Sequence, residues 1–230
     1  GVPGAPEGAI KATASTDNHA AGGNAAEHLF PLLEKKLGDK KVRIGVVSQE
    51  VNSLSITQRT SGFIDKMVEL LNKKGIKTAV TGHDKFKNDV NEADAKVVIE
   101  VRVPAQVDDA AGKTEASTVL EKEDTVAIYG SNEFAAKAII NANGGFKESK
   151  LGADKILAVG FDSGALQQDA IRKGIFVGSV TQDPVQIGYQ AVKLAIAAAK
   201  GETVKDVDTG SKWYDAKNID SEEIKALLYE

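Results

Sequence analysis

The sequence predicts an α/β protein built on a doubly wound parallel sheet. Helix and strand patterns alternate from Thr16 to the C-terminus. The strands are near-continuous Val, Ile and Ala runs, as in sheets covered on both faces, rather than the alternating pattern of half-exposed strands. With 230 residues, 42% hydrophobic, the chain can bury an ordinary globular core. The crossovers between parallel strands are expected to be right-handed.

The elements follow in order. Gly1 to Ala14 hold Pro and Gly without a complete helix or strand pattern and read as a loop entering from a preceding segment, as in a fragment or processed product. Thr16, Asp17 and Asn18 offer N-cap chemistry to a helix running to about Leu37 and closed by Gly38. Val42–Val47 is an apolar strand. A polar loop, Ser48 to Ser55, leads to a helix over Thr57 to Lys74, whose Phe63, Met67, Leu70 and Leu71 keep helical spacing and which Gly75 stops. Strands are expected at Ile76–Val80 and Val97–Val103, on either side of a charged segment, Gly82 to Lys96. A helix follows over Asp109–Glu121, then strand Thr125–Tyr129, helix Glu133–Asn141, strand Ile156–Phe161, helix Ala165–Lys173 and strand Ile175–Val180. Pro184 opens an alanine-rich helix to Lys200. Asp206 to Tyr214 read as an extended pair, or one strand, with a turn at Gly210, before a short helix from Ser221.

Composition narrows the chemistry. A net charge of −4 with Lys and Glu interspersed lacks the basic stripe of a nucleic-acid surface. No apolar run approaches the roughly 20 residues of a membrane span, and no signal-peptide pattern opens the chain. Cysteine is absent, which removes thiol nucleophiles and thiolate metal sites. The three histidines, His19, His28 and His83, lack the i, i+4 spacing of a zinc helix, so no metal is expected. Gly22-Gly23 falls inside a helix, and no glycine-rich phosphate loop opens any helix, so no nucleotide cofactor is expected either.

Open parallel sheets bind ligands beyond the carboxyl ends of their strands. There this sequence collects Arg59, Gln106, Asn132, Asp162 and Gln182, with Asp183 beside the last. A sugar hydroxyl both donates and accepts, and planar groups such as carboxylate, guanidinium and amide hold hydroxyl pairs in fixed geometry. No Ser–His–Asp set or argued carboxylate pair can be assembled, so binding is expected rather than catalysis. Each residue also has a plainer reading. Asp162 and Asn132 could be N-caps, Arg59 a surface residue in a helix's first turn, and Gln182 part of a solvated turn before Pro184. Gln106 is the weakest of the set.

The motifs in order resemble the ribose-type family of periplasmic and lipoprotein sugar-binding proteins, which shares its fold with LacI-type repressor cores. The carriers are Ser15-Thr16-Asp17-Asn18 with Ala21-Gly22, Gln58-Arg59-Thr60-Ser61-Gly62-Phe63, Gly130-Ser131-Asn132-Glu133 and Val159-Gly160-Phe161-Asp162. Thr181-Gln182-Asp183-Pro184 with Ile187-Gly188-Tyr189, and Asp208-Thr209-Gly210 before Asn218-Ile219-Asp220, complete them. The resemblance implies a periplasmic-binding-protein-like type I fold in which two lobes close on a small sugar delivered to an ABC permease, outside the cytoplasm, in the periplasm or on a lipid anchor. By similarity Arg59, Asn132, Asp162 and Gln182 hydrogen-bond that sugar.

Residues 1–15 would be a remnant of the N-terminal lobe and hinge, 16–181 the C-terminal lobe, 182–207 a helix of the other lobe, and 208–230 the hinge return and tail. Most of the N-terminal lobe would be missing, leaving about half a site. The extra segment Gly82–Lys96, and Val107 where some relatives carry an aromatic, point away from ribose toward a different or larger sugar. The helix from Pro184 would expose an apolar face (Ile187, Val192, Leu194, Ala195), inviting dimerisation, a swap, or folding back on its own sheet. The competing readings are the effector-binding core of a LacI-type regulator and an enzyme of flavodoxin-like or sugar-isomerase type, which would need a nucleotide loop or base pair not found here.

Overall fold

A computed structural model describes residues 5–229; Gly1 to Gly4 of the expected opening loop lie outside the described residues. The fold is α/β. Six strands run parallel: β2 (Val42–Val47), β3 (Thr78–Thr81), β4 (Val97–Arg102), β5 (Thr125–Gly130), β6 (Leu157–Phe161) and β7 (Gly178–Gln182). A further strand, β9 (Ser211–Tyr214), pairs antiparallel with β7 and closes that edge, giving the order β3-β4-β2-β5-β6-β7-β9. The tail strands expected as a pair are therefore parted. β8 (Val207–Asp208) joins β1 (Ala14–Ser15) in a separate two-stranded parallel sheet, and Gly210, at φ +76°, turns the chain from β8 into β9.

Both faces of the large sheet are covered. Helices α1 (Asn18–Glu34) and α2 (Leu54–Lys73) pack on one, enclosing Ile44, Val46, Ile99, Phe63, Met67 and Phe161. On the other lie α3 (Asp109–Leu120), α4 (Glu133–Asn143), α5 (Ala165–Arg172) and α7 (Glu222–Lys225), with Val119, Ile128, Ile139, Ile171, Tyr214 and Ile224 in the core. Because successive strand side chains alternate between faces, strands covered on both sides are apolar at most positions, and their buried exceptions, such as Arg43 and Glu100, are paired. The α1–α2 contact is close. A Cβ on Gly22 would overlap the Arg59 carbonyl, and one on Gly62 would overlap that of His19.

Two strands start two to three residues later than expected. At Gly75 and Gly174, both left-handed, a helix ends in a Schellman turn: Ile76 N–H donates to Leu71 O (3.0 Å) and Ile175 N–H to Ala170 O (2.8 Å). Those isoleucines belong to helix exits, so β3 and β7 begin after them. The segment Gly82–Lys96 holds a 3₁₀ turn, Glu92–Asp94, and buries Phe86 against the core.

Helix α6 (Pro184–Ala199) stands apart, with no buried residue. It does not fold back on the large sheet, one of the expected outcomes. Its Ala191, Leu194, Ala195 and Ala198 face residues 9–14 and Val204 instead. The exposed apolar row is Val185, Tyr189, Val192 and Ile196 rather than the face anticipated, of which only Val192 is shared. Among the described residues no helix is long and apolar enough to cross a membrane.

Candidate functional site

The carboxyl ends of β2, β5, β6 and β7 meet at one rim, and the network there is centred on Asp162. Its Oδ1 accepts from Gln182 Nε2 (2.7 Å), while Oδ2 accepts from Arg59 Nη1 (3.2 Å) and from the Glu133 backbone N–H (3.2 Å). Arg59 and Asp162 are nearly buried, at 7% and 9% exposure, so the ion pair is sheltered from screening. Arg59 Nε donates to Asn18 Oδ1 (2.8 Å), and its guanidinium lies 4.1 Å from the centre of the Phe161 ring. The arginine is thus stacked below, held at two nitrogens, and its Nη2 bonds no acceptor among the described residues.

The plainer readings separate here. Gly164, not Asp162, is the N-cap of α5, so capping does not account for Asp162. Asp162 is the one non-glycine at positive φ (72°) among the described residues, a left-handed conformation that Asp tolerates better than most. Asn132 is a true N-cap, its Oδ1 accepting from Ala135 N–H (3.0 Å); its Nδ2 remains for the rim and donates to Gln49 Oε1 (2.6 Å). Arg59 lies in the second turn of α2, not the first, because the helix begins three residues earlier than expected, at Leu54. Asp183, not Gln182, caps α6, which leaves the Gln182 amide to the carboxylate. Gln106 does not join: it sits exposed in the loop after β4, and its side chain bonds nothing among the described residues.

Two members escaped the sequence reading. Gln49 directly follows β2, where the strand-end rule applies, but was absorbed into a polar loop. Asn18 begins α1, and only the glycine-mediated contact of α1 with α2 brings it to Arg59. Beneath the rim, Tyr129 stacks on Phe63 with centroids 4.2 Å apart. Burial pushes the Tyr129 phenol well above its ordinary pKa despite the opposing pull of Arg59. Its hydroxyl and that of Ser131 are buried without a partner among the described residues. Among those residues no cluster of His, Asp or Glu could hold a metal ion.

Paired amides and one neutral ion pair can hold uncharged polar groups in two directions at once. They offer no nucleophile beside a base. Comparisons agree with a binding fold. A family model described as a periplasmic binding protein domain matches residues 2–203. Among solved structures, an "ABC transporter, LacI family transcriptional regulator" from Brachyspira murdochii is 38% identical with TM-score 0.83, covering 100% of this chain and 70% of that one. An ABC transporter solute binding protein from Agrobacterium vitis with bound D-fucose is 25% identical with TM-score 0.71, covering 96% and 65%. A carbohydrate transporter solute binding protein from Agrobacterium radiobacter in complex with D-arabinose is 25% identical with TM-score 0.74, covering 96% and 67%. The chain thus spans roughly two thirds of the length of these relatives. Comparison with curated protein sequences gives no match. The family is one of extracytoplasmic binding proteins of transport systems, not of enzymes, and by the match over residues 2–203 and its sheet topology this chain belongs to the periplasmic binding protein domain family.

Proposed function

We propose that the rim is one wall of a sugar site, and that the chain is part of the solute-binding component of an ABC sugar importer, acting outside the cytoplasm and delivering to a permease. The observation that carries this reading is the spare valence of the network. Arg59 and Asp162 cancel in charge, which disfavours an anionic ligand. Arg59 Nη2, the second Asn132 Nδ2 proton and the Gln49 amide nitrogen remain as donors. The Gln182 side-chain oxygen, Oε1, and a lone pair of Asp162 remain as acceptors. That mixture suits vicinal hydroxyls. Relatives solved with D-fucose and D-arabinose support the same class of ligand.

On this reading residues 16–181 form the body of one lobe and 208–230 return to it, while 182–207 belong to a second lobe that covers the row Val185, Tyr189, Val192 and Ile196. The regulator reading, present in the name of the Brachyspira relative, predicts a DNA-binding domain upstream and is less well supported by the sugar-bound transport proteins. The test is titration calorimetry of the full-length protein with pentoses, hexoses, short oligosaccharides and, as controls, sugar phosphates. A neutral sugar is expected to bind and Asp162→Ala to abolish it. Binding of the phosphates alone, or wild-type affinity in Asp162→Ala, would overturn the reading.

A further inference from the structure

The carboxylate of Asp162 is only as well placed as its backbone, and that backbone is held in an unusual way. Its N–H donates to Val180 O (2.7 Å), which fixes the peptide plane before Cα. Its carbonyl oxygen accepts from three buried side chains: Tyr214 Oη (2.8 Å), Ser179 Oγ (2.9 Å) and Gln167 Nε2 (3.1 Å). These fix the plane after Cα. With both planes pinned, the direction of Cβ follows, and with it the aim of the carboxylate at Arg59 and Gln182. Tyr214, Ser179 and Gln167 are at most 2% exposed, so water does not compete for the carbonyl.

The three donors differ in origin. Gln167 and Ser179 come from the neighbouring helix and strand, and Gln167 also bonds Phe161 O and Ser179 Oγ. Tyr214 comes from β9, 52 residues further on, after the chain has returned through β8 and Gly210. Burial pushes its phenol well above the ordinary pKa, so it remains a protonated donor at any physiological pH.

Resting on the sugar-site reading above, we infer that Tyr214 is a positioning residue: its hydroxyl holds Asp162 in the left-handed conformation that aims the carboxylate into the rim, and so ties the returning C-terminal strand to ligand affinity. Three donors share one oxygen, so the effect of removing them is graded. Tyr214→Phe is expected to weaken sugar binding about threefold, and Tyr214→Phe with Ser179→Ala about tenfold or more. Ile219→Val, a buried change in the same core that touches no hydrogen bond, is expected to lower the melting temperature while leaving affinity within about twofold.

A second measurement does not depend on sugar. Amide hydrogen exchange at Asp162 is expected to quicken about tenfold in Tyr214→Phe relative to the amides of β2 and β4. Should the double variant fail to fold, Ser179→Ala alone takes its place and is expected to match Tyr214→Phe. Wild-type affinity in the variants, an equal loss in Ile219→Val, or exchange that rises uniformly over the sheet would each overturn the inference. Absence of any sugar binding by the wild-type full-length protein would instead sink the proposed function, and the exchange result would still decide whether Tyr214 holds Asp162.

Discussion

Two nearly buried arginines stand at opposite ends of the same sheet, and they are wired differently. Arg43, at the start of β2, spends every nitrogen: Nε on Asp124 (3.1 Å), Nη1 on Glu100 (2.7 Å) and Nη2 on Glu92 (3.0 Å). Glu100, 5% exposed, takes Lys122 Nζ on both oxygens as well (2.8 and 2.6 Å). Arg59, at the other end, spends two nitrogens and keeps the third. A saturated cluster has nothing left to offer a ligand; it closes the bottom of the fold. An unsaturated one keeps a donor for a ligand, as the proposed sugar site requires. The two arginines are buried alike, so on the proposed reading it is the unspent valence at Arg59 that separates a recognition site from a structural ion pair.

That contrast can be broken by substitution. The largest effect is expected from Arg43→Met, which leaves Glu100 buried beside a lost partner and should cost about 3–5 kcal/mol in urea unfolding while sparing ligand affinity. A loss under about 1 kcal/mol would show that the cluster does not hold the fold. Arg59→Lys keeps the charge but not the fork, and should lower sugar affinity about 30-fold, roughly 2 kcal/mol, in calorimetry, with a smaller change in stability than Arg43→Met. Gly62→Ala sharpens the comparison, since it forces α2 off the His19 carbonyl and away from Asn18. It should cost about 1–3 kcal/mol by thermal unfolding and weaken the rim as well, because Arg59 loses its Nε partner.

The smallest effect belongs to a surface cluster of three charges. Lys73 and Lys66 hold the Glu69 carboxyl down at about 2, below its ordinary value of 4.5. Its folded pKa is depressed, so its contribution is present above about pH 4.5 and fades as pH falls toward 2. Glu69→Gln should therefore lower the melting temperature slightly at pH 7, less so as pH drops through that window, and salt should erase the difference.

Much of this was legible in the sequence, for definite reasons. Short, mostly apolar, Val- and Ile-rich runs such as Val42–Val47 alternate with helix patterns and so fit strands buried on both faces, and the strand-end rule then picked out Arg59, Asn132, Asp162 and Gln182. Ile76 and Ile175 misled because an apolar residue after a helix-ending glycine looks like a strand start, while here it caps the helix. Gln106 misled because the rule selects an edge, not a position along it; the loop after β4 carries it outward. Asn18 was read as an N-cap and motif residue, but its bond to Arg59 was hidden because it depends on two helices touching at Gly22 and Gly62, a distance no local pattern encodes. The antiparallel seating of β9 was hidden too. Four residues, Ser211–Tyr214, carry no signal for which sheet they will join.

Under the two-lobe division proposed above, the narrow β1–β8 sheet would have a mechanical meaning. Only two residue pairs join its strands, reinforced where Thr16 Oγ1 donates to Gly210 O (3.1 Å) and Asp17 N–H to Asp208 Oδ1 (2.9 Å). The chain at Gln182, where β7 gives way to α6, lies beside them through its pairing with Ser211. On the proposed two-lobe reading, three threads gathered this tightly would act as a fulcrum. Should the α6 side swing about them, points far out on that helix travel furthest while Gln182 scarcely shifts, so the amide gripping Asp162 keeps its hold through the stroke.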